Sequence, residues 1–174
     1  MRNYEKIIIR NDHDELLIIL KRFNLKNQNV INFDRHSDLY PNPEIDVGSW
    51  GYYGLKDGTI KNFIWIPTLE NPMDHVVNLW GKIRILTVRK EAIISICYDY
   101  LIGLGIKNTE DSIDQKISGI IKDIKRFNIK VQFIFFARSP QWCEIKYIGY
   151  AEKKLINEFK KIGFEVNAAL SQRF

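Results

Sequence analysis

A chain of 174 residues, 45% hydrophobic and 27% charged, has room for one domain with a real core and too little for two ordinary ones. The composition excludes disorder, a collagen-like repeat and a coiled coil. The net charge of +5 raises nucleic acid as a partner class, but the lysines spread over helical stretches such as 122–126 and 153–161, where a solvated face is the simpler account.

In chain order, residues 6–10 predict a strand. Residues 14–23 predict an amphipathic helix with apolar Leu16, Leu17, Ile19, Leu20 and Phe23. Residues 29–33 predict a buried strand, and a Gly/Pro/Asn loop leads to a helical stretch at 50–56 that Asp57-Gly58 ends. A strand at 62–66 stops at Pro67, and strands at 82–88 and 92–97 suggest a hairpin around Arg89-Lys90. Thr109 is placed to cap a helix to about residue 127, with Glu110 and Asp111 suited to its dipole. A strand at 130–136 and a helix at 147–162, closed by Gly163, complete the pattern. Strands alternating with helices imply an α/β three-layer sandwich of minimal size with a mostly parallel central sheet, one domain over residues 1–174. No apolar run approaches the roughly 20 residues of a membrane helix. A cytoplasmic location is expected, with no membrane partner and with Cys97 and Cys143 as reduced thiols.

In parallel sheets, ligands bind beyond the carboxyl ends of the strands, and the polar clusters stand there. Asp34-Arg35-His36-Ser37-Asp38 follows the second strand, Cys97-Tyr98-Asp99 the fifth, and Arg138-Ser139-Pro140 the last before the closing helix. Alternation along an extended segment would put Asp34, His36 and Asp38 on one side. Two carboxylates and an imidazole suit a divalent metal; the competing account is a polar loop whose Asp caps the next helix. His13 also follows a strand, though Asp12 or Asp14 beside it could simply cap a helix. Cys97 and Asp99 are two apart and both are able to ligate, while burial as a small apolar group is the commoner fate of a free cysteine. Between Asp34 and Asp46 four carboxylates face a single cation, Arg35, a local balance that suits a cationic ligand.

These motifs resemble the arginase and deacetylase superfamily, in which an early His, an Asp-x-His-x-Asp segment and a Ser-x-Asp-x-Asp segment hold a metal pair. His13 matches the early His; Asp34, His36 and Asp38 match the middle motif; Asp99 matches the last Asp. Within the superfamily the chain is most similar to a short family that includes peptide arginases, over residues 30–39, 58–67, 95–101 and 137–140. The resemblance implies a metal-dependent carbon–nitrogen hydrolase that converts arginine side chains of a precursor peptide to ornithine and urea. One or two divalent ions are implied, manganese first, with zinc or iron as alternatives. Asp38 and His36 are the implied catalytic residues, and His13, Asp34, His36, Asp38, Cys97 and Asp99 the implied ligand set. An arginine-containing peptide is the expected partner; nucleic acid is not expected.

The pattern departs from the superfamily in three places. Cys97 stands where a bridging Asp is usual, and thiolate suits manganese poorly. The Gly-Asn-x-His-Gly loop is replaced by Gly48-Ser49-Trp50-Gly51-Tyr52-Tyr53, leaving His75 as the one other histidine. The acid that grips the guanidinium falls near Ala137. Glu144, Asp46 and Glu44 are therefore candidates to bind substrate, with Trp50, Tyr52, Tyr53 and Trp142 for a peptide groove and Arg138 for a peptide carbonyl or carboxylate. Rival functions are a single-zinc amide deacylase on the same scaffold and a non-catalytic metal- or peptide-binding relative.

Overall fold

The computed structural model of the chain describes residues 5–68, 91–127 and 130–166. The β-branched runs form strands β1 (Glu5–Arg10), β2 (Gln28–Phe33), β3 (Ile60–Ile66), β4 (Glu91–Cys97), β5 (Lys130–Ala137) and β6 (Phe164–Val166). The helices are α1 (Glu15–Arg22), α2 (Trp50–Lys56), α3 (Tyr98–Ile102), α4 (Glu110–Phe127) and α5 (Ile145–Lys161), with a 3-10 turn at Pro140–Trp142. The strands make one sheet in the order β3-β2-β4-β5-β1-β6, and every described pairing is parallel.

Side-chain alternation gives the sheet two apolar faces. Ile8, Val30, Ile93 and Phe135 pack against Leu16, Leu17 and Leu20 of α1 and Trp50 of α2. Ile7, Ile31, Ile94, Ile134 and Phe136 pack against Ile113, Ile117 and Ile120 of α4 and Leu155 and Phe159 of α5. Each such side chain, fully buried, contributes about 1.5–3 kcal/mol, so the layers are held chiefly by these two seams. The expected α/β three-layer sandwich is the observed architecture.

The connections position the site. From β1 to β2 and from β2 to β3 the chain crosses on the α1–α2 face in one direction across the sheet. From β4 to β5 and from β5 to β6 it crosses on the opposite face in the opposite direction. Connections of one handedness require this. Neighbouring β2 and β4 therefore send their following segments to opposite faces, which opens a crevice at their carboxyl ends.

Local chemistry explains the boundaries. Thr109 and Ser112 exchange side-chain-to-backbone bonds at the start of α4, a reciprocal cap. Gly58 after α2 and Gly163 after α5 take positive φ, +77° and +101°, which glycine adopts without strain. Two elements were not expected. Helix α3 begins in the residue after β4, and β6 is three residues long, too short for a periodic signal. The strand expected at 82–88, the hairpin around Arg89-Lys90 and His75 lie outside the described residues.

Candidate metal centre

The segment after β2 turns at once. The Asp34 carboxylate accepts the His36 backbone N–H at 2.8 Å, and Asp38 takes φ +56°. Turn geometry, not strand alternation, gathers Asp34, His36 and Asp38, which corrects the expected reason for their convergence. A left-handed φ costs a non-glycine residue on the order of 1 kcal/mol, so its surroundings must hold it. Trp50 Nε1 donates to Asp38 Oδ2 at 2.7 Å, and Asn32 Nδ2 approaches the same oxygen at 3.4 Å. Trp65 Nε1 donates to the Asp34 carbonyl at 2.8 Å. Two buried indoles thus fix the two aspartates.

His13 arrives from the segment between β1 and α1. Its Nδ1 lies 2.7 Å from Asp34 Oδ2 and 3.1 Å from Asp38 Oδ2. Its Nε2 lies 2.6 Å from Ser95 Oγ. The ring packs between Trp50 and Phe135, with centroids at 4.9 and 6.2 Å. Although Nδ1 is so close to two carboxylates, it makes no aligned hydrogen bond, and the buried Oδ1 of Asp99 has no partner either.

Across the crevice, His36 Nδ1 lies 2.9 Å from Asp99 Oδ2 on α3. Cys97 closes β4 on the same face as Ile93 and donates its thiol hydrogen to Ser139 Oγ at 3.1 Å. Two donor groups result, His13–Asp34–Cys97 and Asp34–His36–Asp99, each with ligand atoms within 4.8 Å of one another. Asp34 belongs to both. Asp38 belongs to neither, its Oδ2 being taken up by Trp50, yet it touches His13.

The electrostatics suit a cation. Burial alone would lower His13; the Asp34 and Asp38 carboxylates outweigh it and hold the imidazole at about 10. Burial and the Asp38 charge push Asp34 up to about 6. Burial and Asp34 raise Asp99. Burial, Asp34 and Asp99 raise the Cys97 thiol. His36 is raised chiefly by its bond to Asp99. A divalent ion would reverse each of these frustrations, so carboxylate, imidazole and thiol donors with orphaned buried atoms fit such an ion.

The structure brings all six expected ligands to one cavity of about 150 Å³, whose wall Tyr40, Val47, Gly48, Ser139 and Trp142 complete. Of the residues expected to bind substrate, Trp142 lines it, whereas Glu44, Asp46, Trp50, Tyr52, Tyr53, Arg138 and Glu144 do not. Trp50 is fully buried and serves Asp38 instead of a groove. Tyr52 packs edge-on against Tyr53, whose hydroxyl donates to the Asn42 carbonyl at 2.6 Å. Arg138 gives Glu152 two bonds, at 2.7 and 3.0 Å. Asp46 accepts from Asn42 and the Gly48 backbone. The Glu44 carbonyl accepts Ser49 Oγ, and Glu144 faces Lys146 at 3.6 Å. Nearness to the acidic motif in sequence is not nearness to the cavity, because the loop after Asp38 folds back upon itself through Asp46 and Ser49. Ser95, Ser139 and Tyr40 were missed. Ser95 carried a signal, standing two residues before Cys97 and so on the same face. Ser139 stands in a strand-end cluster but only its φ of +43° turns it to the thiol.

No family model matches the chain, and no curated protein matches it. Solved structures do share its fold. One is a hypothetical agmatinase from Burkholderia thailandensis, with a TM-score of 0.57 and 14% identity over 87% of this chain and 56% of that one. Another is the arginase from Medicago truncatula, with a TM-score of 0.52 and 16% identity over 95% of this chain and 59% of that one. The chain spans less than two thirds of the length of either. The fold is thus that of the arginase and agmatinase structures, at low identity. No helix among the described residues is long and apolar enough to cross a membrane.

Proposed function

We propose that the protein is a metal-dependent carbon–nitrogen hydrolase that acts on arginine side chains of a peptide, leaving ornithine and releasing urea. The observation that carries this reading is the pair of donor groups sharing Asp34 at the floor of an anionic cavity. The fold likeness to an arginase and an agmatinase supports it. A divalent ion held by His13, Asp34, His36, Cys97 and Asp99 would supply an acidified water for attack on an electrophilic carbon. Asp38 is set to accept the proton that the attacking water gives up and to return it to the departing amine. Trp50 and Asn32 hold its carboxylate for that task. The carboxylates around the cavity favour a cationic group such as guanidinium. Trp142 and Tyr40, 49% and 42% exposed at the wall, offer the amphipathic surface that suits a peptide main chain.

Asp34, His36 and Asp99 form a complete group of their own, and this favours one second reading, a single-ion amide deacylase. Incubation with manganese or zinc separates the two. Arginine peptides that lose one CH2N2 unit with release of urea support the first reading; acyl-lysine peptides that lose the acyl group support the second. Unchanged arginine peptides across many sequences, with either metal, would sink the arginase reading.

A further inference from the structure

We propose that Cys97 ligates the ion as a thiolate, so that the centre selects a thiophilic ion of the zinc type over manganese. The inference rests on the metal-centre reading above and goes beyond it in naming the ion class and the residue that chooses it.

Three observations converge on the thiol. Cys97 Sγ belongs with a His13 nitrogen and an Asp34 oxygen to one group whose atoms lie within 4.8 Å of one another. Donors about 2.0–2.3 Å from a tetrahedral zinc stand roughly 3.3–3.8 Å apart, a spacing these three atoms reach by small side-chain adjustments. His13 Nδ1, buried and without an aligned hydrogen bond, stands 2.7 Å from Asp34 Oδ2. Its Nε2 is held by Ser95 Oγ at 2.6 Å, so an Nε2–H donated to Ser95 leaves the Nδ1 lone pair free to ligate, the second-shell arrangement usual for metal-binding histidine. Finally, Ser139 Oγ at 3.1 Å can turn its hydroxyl to donate to a thiolate once the thiol proton has left, which gives the sulfur a stabilising partner in both states.

The selection follows from ligand softness. Carboxylate and water suit manganese, whereas thiolate with imidazole suits zinc and its spectroscopic substitute cobalt. An oxygen at position 97 would leave a hard site; the sulfur places a soft donor beside Asp34, the residue shared by both groups, and in hydrogen-bonding reach of Asp99. One thiol therefore biases the whole centre.

The test uses the full chain stripped by a chelator and titrated with cobalt(II). Wild type is expected to show the intense near-ultraviolet thiolate-to-cobalt charge-transfer band, retained in Cys143→Ser and lost in Cys97→Ser. Competition should show zinc displacing manganese from wild type. Cys97→Ser should weaken zinc by no less than the roughly 10–100-fold that loss of a second-shell partner costs, and Cys97→Asp should move the preference toward manganese. Cobalt binding without the band overturns the inference while leaving the metal centre standing. Absence of any metal binding overturns both. Should Cys97→Ser fail to fold, retention of the band in Cys143→Ser assigns it to Cys97, and its loss there overturns the inference.

Discussion

Replacing Trp50 with phenylalanine probes how the scaffold holds the site. Trp50 is fully buried, its ring packs against His13 and Phe63, and its Nε1 donates to Asp38 Oδ2 at 2.7 Å. Trp50→Phe removes that donor and leaves a carboxylate, 3% exposed, to His13 Nδ1 at 3.1 Å and the weak contact from Asn32 at 3.4 Å. A hydrogen bond to a charged group contributes about 1.5–3 kcal/mol. The smaller ring leaves a void worth on the order of 1 kcal/mol more. The expected loss is therefore about 2.5–4 kcal/mol, read from the midpoint of a urea transition at constant m. Asp38 holds its φ of +56° partly through this bond, so the aspartate should also loosen. Zinc or manganese affinity should fall by roughly 10–100-fold in calorimetric titration, as for other outer-shell partners. A variant within about 0.5 kcal/mol of wild type, the range of ordinary surface changes, with unaltered metal affinity would refute the assignment of Trp50 as the support of Asp38.

Three further outcomes are expected. His13 is held up at about 10 against an ordinary 6.5, so its protonated form stabilises the metal-free fold below pH 6.5. That contribution is lost as pH rises through 10; the metal-free protein should therefore lose stability from neutral pH upward in urea melts taken at each pH. Metal must displace the same proton, so affinity should climb over that range by up to about tenfold per pH unit, and a flat profile from pH 7 to 9 would count against His13 as a ligand. Arg138→Gln should leave metal affinity unchanged and cost on the order of 1 kcal/mol, since the bidentate pair with Glu152 is partly exposed; a loss of peptide turnover without loss of stability would instead return Arg138 to the substrate.

Much of the fold was legible because its signals are local. The runs at 6–10, 29–33 and 130–136 are too apolar and β-branched to be anything but buried strands, and their alternation with amphipathic stretches implied a parallel sheet. The order β3-β2-β4-β5-β1-β6 was not legible, since it depends on which face each crossover takes. At the site, residue types and strand ends pointed to His13, Asp34, His36, Asp38, Cys97 and Asp99, and all six line one cavity. The supporting residues were harder. Trp50 and Trp65 look like core in the sequence, and it is their single indole N–H groups, aimed by packing, that fix the aspartates. Glu44, Asp46 and Glu144 looked like substrate acids because they are charged and near the motif. The folded backbone sets them outside the lining of the cavity.

The central claim is that this cluster holds a divalent ion, and Asp34 is the residue that both donor groups share. The most direct measurement is titration of chelator-stripped wild type and Asp34→Asn with zinc and manganese, reading stoichiometry and affinity by calorimetry alongside circular dichroism. One or two ions per chain in wild type, and none in a folded Asp34→Asn, is the predicted result. A wild-type chain that takes up no divalent ion, or an Asp34→Asn variant that binds as wild type does, would contradict it.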